Sequence, residues 1–85
     1  MNEIEIGVVD HFYGHIPAAT FTVKCEKVSV GDTIKIIGHG HEFTQQIEEM
    51  QIDRQNIQEA KQGDAVGIKV LQKVKPGDKI YKIVE

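Results

Sequence analysis

One cysteine, Cys25, stands in the whole chain. A lone thiol excludes an internal disulfide framework and a cysteine-based zinc knuckle, and it fits a reducing, cytoplasmic setting. No apolar run approaches the ~20 residues that a membrane-spanning helix needs, so no membrane partner is expected. The opening run Met1-Asn2-Glu3-Ile4-Glu5-Ile6 carries acids where a secretory leader would carry lysines and then apolar residues. The string Gly-x4-Gly-Lys-Ser/Thr of a P-loop is also absent, and with it the cradle for a nucleotide's phosphates. Neither a nucleotide nor any other cofactor is therefore expected. Asp64-Ala65-Val66-Gly67 matches the Asp-x-x-Gly string of GTPases, but without a P-loop it has nothing to act on. Aromatics are few: Phe12, Tyr13, Phe21, Phe43 and Tyr81.

What is present suits one small domain spanning residues 1–85. The chain is 85 residues long, 40% apolar and 27% charged, a globular balance rather than a disordered one. A domain of this size buries about 60–68% of the surface its unfolded chain exposes, enough for one core.

Charge is divided unevenly. Residues 1–60 hold 4 basic and 10 acidic side chains, a net of −6, while residues 61–85 hold 6 lysines against 3 acids, a net of +3. The total of −3 excludes a protein built mainly to neutralise nucleic acid, though not local contact. Lys69, Lys73, Lys75, Lys79 and Lys82, with Tyr81 beside them, form the candidate surface for an anionic partner. A Gly77-Asp78 turn would fold the first lysines back on the last as a hairpin. The alternative is a solvated edge strand whose lysines discourage pairing with other chains.

A turn-and-strand unit recurs three times. Gly31-Asp32, Gly63-Asp64 and Gly77-Asp78 each precede an alternating, β-branched run. Glycine supplies positive φ, aspartate bonds the backbone just beyond it, and a strand follows. Ile4, Ile6 and Val8 alternate with partners of a first strand over residues 3–13. Phe21, Val23 and Cys25 do the same in a second strand at about 18–27, after a Gly14-His15-Ile16-Pro17 loop. Ile34 and Ile36 point inward from a third strand that ends at the Gly38-His39-Gly40-His41 turn. Residues 43–62 read two ways. Phe43, Ile47, Met50 and Ile57 have helical spacing, whereas a hairpin turn directly before Phe43 favours a strand, with a change of face at Met50 and Ile52.

These units and their order resemble the second domain of translation GTPases such as elongation factor Tu. The resemblance runs through Gly7-Val8-Val9, through Lys27 to Asp32 and through Ala60 to Ile68, and covers about Ile6 to Val84. The chain is more similar still to the short C-terminal barrel of collagenase-like peptidases and to stand-alone translation-factor-like proteins, on Ile37-Gly38-His39 and Met50-Gln51-Ile52. The resemblance implies an all-β fold, a small closed antiparallel barrel of about six main strands, and turns 43–52 into strand. At most one or two helical turns would remain near 57–61. Asp10 to His15 does not reproduce the surface with which elongation factors meet aminoacyl-tRNA, so no tRNA contact is carried over to single residues.

Reaction chemistry finds no convergent set. His11 and His15 on an extended strand would lie roughly 13 Å apart, too far for one ion with ~2 Å ligand bonds. His39 and His41 share a turn with Glu42, either as a labile ion site or as exposed loop residues. Cys25 falls in the apolar register of its strand, as a buried thiol would. Glu48 and Glu49 would point to opposite faces of a strand. Phe21 and Phe43 read as core, and Tyr13 and Tyr81 either stack on a partner or complete amphipathic strands. The expectation is a non-catalytic binding module that touches RNA or the ribosome, or a partner protein that is peptidase-like or translation GTPase-like. Two alternatives stand beside it: an accessory subunit or domain of a collagenase-like peptidase system, and a small metal-dependent hydrolase using the histidine loops.

Overall fold

The computed structural model describes residues 2–38 and 40–84. All its regular elements are strands: β1 (Asn2–Tyr13), β2 (Ala18–Thr22), β3 (Lys27–Ser29), β4 (Thr33–Gly38), β5 (His41–Gln46), β6 (Met50–Ile52), β7 (Gln55–Asn56), β8 (Glu59–Lys61), β9 (Ala65–Lys69) and β10 (Lys79–Val84). The helical spacing in 43–62 yields to strands β5 to β8, and no helical turn forms near 57–61. Cross-strand partners and burial of Phe43, Ile47 and Met50 outweigh the helix propensity of the Gln and Glu between them. The second strand stops at Thr22, short of the expected 27.

The three Gly-Asp units form one turn three times over. Gly31, Gly63 and Gly77 have φ of 98°, 93° and 96°. In each, the aspartate N–H donates to the carbonyl three residues earlier: Asp32 to Ser29, Asp64 to Lys61, Asp78 to Lys75. The carboxylate then accepts the N–H of that same earlier residue, at 2.8, 2.9 and 3.0 Å. The side chain thus locks the turn backward, not onto the backbone beyond as the sequence suggests. A short carboxylate reaches the preceding turn more readily than a strand that is already leaving. Strands β4, β9 and β10 begin directly after these turns.

Eight strands make one antiparallel sheet in the order β5-β4-β10-β1-β2-β9-β6-β7, and β3 pairs with β8 in a separate ribbon. Strand β1 is the fold line. Its register shifts between Glu5 and Gly7 and again between Val9 and His11, so its first half pairs with β10 and its second with β2. Such bulges bend a strand and increase its twist. The two halves of the sheet therefore face each other across Ile6, Phe21, Ile34, Ile36, Ile68 and Ile80, all fully buried.

The expected closed barrel is not completed by a ladder, because β5 and β7 end the sheet. A side chain bridges the seam instead. Gln45, on β5 and only 6% exposed, donates to the Lys69 carbonyl at 2.8 Å and accepts from the Leu71 N–H at 2.8 Å. Among the described residues six strands have five or more residues, β1, β2, β4, β5, β9 and β10, as the expectation of about six main strands has it, and short pieces β3, β6, β7 and β8 fill the connections. No helix of the described residues is long and apolar enough to cross a membrane.

Candidate functional site

Strand alternation places every second residue of β1, β2, β9 and β6 on the outer face of the second half-sheet. The register aligns His11 with Thr20, Thr20 with Gly67, and Gly67 with Gln51, one row across four strands. Tyr13, Ala18 and Lys69 align in the neighbouring row, and Thr22 faces Ala65 in the next. The two middle strands thus present small side chains, and the flanking strands present large ones. The result is a trough of about 910 Å³, floored by Ala18, Thr20, Ala65 and Gly67.

Gly67 is its centre. A β-carbon there would meet Thr20 Cγ2 at 3.7 Å and the Ala19 carbonyl at 3.9 Å, ordinary contact distances. Nothing in the packing demands glycine, and a glycine inside a strand weakens it. In strands, glycine often marks a place where a ligand or another backbone comes close. One wall is the pair His11 and Tyr13, ring centroids 6.2 Å apart. Opposite stand Gln51, held by Asn56 at 3.0 Å, and the Asp53–Arg54 turn that joins β6 to β7.

The trough has unlike ends. At the Lys69 end lie Tyr13 and Ile16, 52% and 74% exposed. Leu71, 61% exposed, is close by, because the Val70 N–H donates to the Pro17 carbonyl at 2.8 Å. At the Ala65 end, about 14 Å away for four extended residues, Arg54 closes the floor. The charged lining comprises Asp10, Glu49 and Asp53 against Arg54 and Lys69, a net of −1. Lys69 is further offset by Glu48 at 3.8 Å.

The five lysines singled out in the sequence do not form one surface. Lys79 and Tyr81 share the outer face of β10, while Lys82 lies on the other, its ammonium on the Lys27 carbonyl at 2.9 Å and 3.9 Å from Asp32. Lys73 and Lys75 sit in the 70–78 connection, which forms no strand and so no hairpin with β10. Lys69 is three strands from β10, about 14 Å across the sheet. The edge-strand alternative also gives way: β10 is paired on both sides, with β1 and β4. Local sequence order brought these lysines together; strand order separates Lys69 from β10, and alternation turns Lys82 away from Lys79.

The histidines likewise disperse. His11 lines the trough, His15 occupies the β1–β2 turn, and His39 lies outside the described residues. His41 Nε2 is 2.9 Å from Asp78 Oδ2, tying β5 to the third Gly-Asp turn. Among the described residues no group of three or more His, Cys, Asp or Glu is arranged to hold a metal ion. Cys25 is half-buried in a loop rather than buried in a strand, its thiol donating to the Lys27 carbonyl at 3.3 Å. Glu48 and Glu49 are in the β5–β6 loop. The trough itself escapes sequence reasoning. Its one local signal is the outward run Ala18, Thr20, Thr22 and its counterpart Ala65, Gly67.

No family model matches the chain. The chain is 34% identical over 84 residues to an uncharacterized protease of Methanocaldococcus jannaschii, covering 98% of this chain and 20% of that protein. It is 28% identical over 81 residues to a collagenase of Porphyromonas gingivalis, covering 94% of this chain and again 20% of that protein. The chain thus spans about a fifth of the length of the curated relatives it matches. The C-terminal domain of a Geobacillus thermoleovorans protein described as a U32 peptidase has the same fold, with a TM-score of 0.85 at 22% identity. That match covers 96% of this chain and 93% of that domain. The collagenase-like resemblance is supported and the translation-factor one is not: the chain is similar to one-fifth of protease and collagenase chains and has the fold of a U32 peptidase C-terminal domain.

Proposed function

We propose that the chain is a non-catalytic polypeptide-binding module, an accessory unit of a collagenase-like peptidase system, and that it holds an extended segment in the trough over Gly67. The observation that carries this reading is the floor of small residues, open above a glycine that the packing does not require. Five extended residues span about 17 Å, the length of β2 and β9 along the floor. A lining of net −1 favours a polypeptide over a polyphosphate backbone, whose binding is driven by cations. Similarity to proteases and collagenases, over a fifth of their length, supports an accessory role beside a larger catalytic part.

Gly67→Leu tests this. Leucine fills the trough from a position that accepts a β-carbon and suits a strand. On an array of immobilised random decapeptides, the parent chain should be retained on a subset and Gly67→Leu should not, at equal thermal stability. The reading fails if no peptide retains the parent or if the variant binds as the parent does. Mass spectrometry of retained peptides after incubation should find them intact, and cleavage by the purified chain would make it an enzyme.

A further inference from the structure

We infer that the trough selects polypeptide segments carrying a carboxylate four residues from an apolar anchor, with Arg54 reading the carboxylate; this rests on the polypeptide-binding reading above. The first ground is a backbone conformation. Asp53 and Arg54, between the paired residues Ile52 and Gln55, have φ of 52° and 66°. Two positive values in a two-residue loop are the signature of a type I′ hairpin turn, whose second place strongly prefers glycine. Aspartate tolerates the first place. Arginine at the second costs about 1–2 kcal/mol relative to a residue free of that steric conflict. Strained conformations of this kind gather at ligand clamps.

The second ground is charge. Arg54 takes part in none of the six ion pairs formed among the described residues. Its partner within the trough is therefore left to the ligand, and a guanidinium fork matches a carboxylate bidentately. Lys69, the other cation of the lining, is already engaged by Glu48. The third ground is the polarity of the trough. Tyr13 and Ile16 stand exposed at the far end, where an apolar side chain would bury against them. Side chains i and i+4 of an extended segment share a face and lie about 14 Å apart, the distance between the two ends.

Four end-blocked, fluorescein-labelled peptides test the inference: Phe-Ser-Ser-Ser-Glu, its reverse Glu-Ser-Ser-Ser-Phe, and the same two with Gln in place of Glu. One orientation should bind with the Glu form about tenfold tighter than the Gln form, as a charge-assisted bidentate bond implies. Arg54→Gly should remove that preference while raising thermal stability, since glycine relieves the turn. Arg54→Lys should retain part of it, and Tyr13→Ala should weaken Glu and Gln forms alike. Equal affinity of the Glu and Gln forms, or a Glu preference that survives Arg54→Gly, overturns the inference. If array peptides bind the parent and these four do not, the inference falls and the polypeptide-binding reading stands; if a labelled ten-nucleotide poly(U) displaces bound peptide, it falls in favour of a general anion site.

Discussion

Glu5 and Lys24 show what a single exposed pair contributes to the fold line. The Lys24 ammonium donates to the Glu5 carboxylate at 2.8 Å and ties β1 to the loop that follows β2. That hydrogen bond holds the Glu5 carboxyl below the usual carboxylate range; desolvation opposes it, and the charges of Lys24 and Lys79 add to it. A carboxyl lowered on folding stabilises the native state above its unfolded value and loses that contribution as pH falls through its folded value. Parent and Glu5→Gln should therefore differ most near neutrality and converge in acid. Urea midpoints taken from about pH 7 down to about pH 3 would check this. A gap that widens in acid would assign the opposite sign to the pair.

At the scale of elements, the Gly-Asp turn is the recurring device. Each of the three launches a strand, and each carboxylate closes the turn on the backbone N–H three residues earlier. Bonds to a charged acceptor contribute about 1.5–3 kcal/mol, less where water competes. Asp32→Ala and Asp64→Ala should each cost about 1 kcal/mol, and Asp78→Ala about 2–3 kcal/mol. Asp78 is the buried one, and it holds His41 as well as the Lys75 N–H. Equilibrium denaturation of the three variants gives the ranking, and an Asp78 cost no larger than the others would remove His41 from the account.

On the scale of the molecule, one side-chain amide bridges the open sheet, beside the backbone bond from the Lys69 N–H to the Glu49 carbonyl at 3.3 Å. Gln45 substitutes for a rung of ladder between β5 and the end of β9, and among the described residues no buried side-chain nitrogen or oxygen lacks a partner. Gln45→Leu keeps the volume and strands the Lys69 carbonyl and the Leu71 N–H. Two unsatisfied groups at about 1–3 kcal/mol each predict a loss of about 2–4 kcal/mol. Hydrogen exchange at the Leu71 amide should accelerate with it. A loss below about 0.5 kcal/mol would mean that packing and the backbone bond from Lys69 to Glu49 hold the seam without the amide.

The sequence by itself determined the local grammar. Glycine before aspartate needs only its own φ and a neighbouring N–H to make a turn, so all three strand starts are legible. The inward positions of Phe21, Ile34 and Ile36 follow from alternation alone, whereas Phe43 stands at helical spacing as well and needed its pairing with Ile36 to settle it as strand. Tertiary structure decided whatever depends on which strand lies beside which. Gln45 reads as an ordinary polar residue until β5 faces residues 69–71, and Gly67 reads as a weak point until β2 brings Thr20 alongside it. Lys69 and Lys79 are close along the chain yet are divided by the order β10-β1-β2-β9. Local conformational preferences act over a few bonds and are written in adjacent residues. Ladder order is set by the burial of distant apolar faces against one another, and that is where the trough arises.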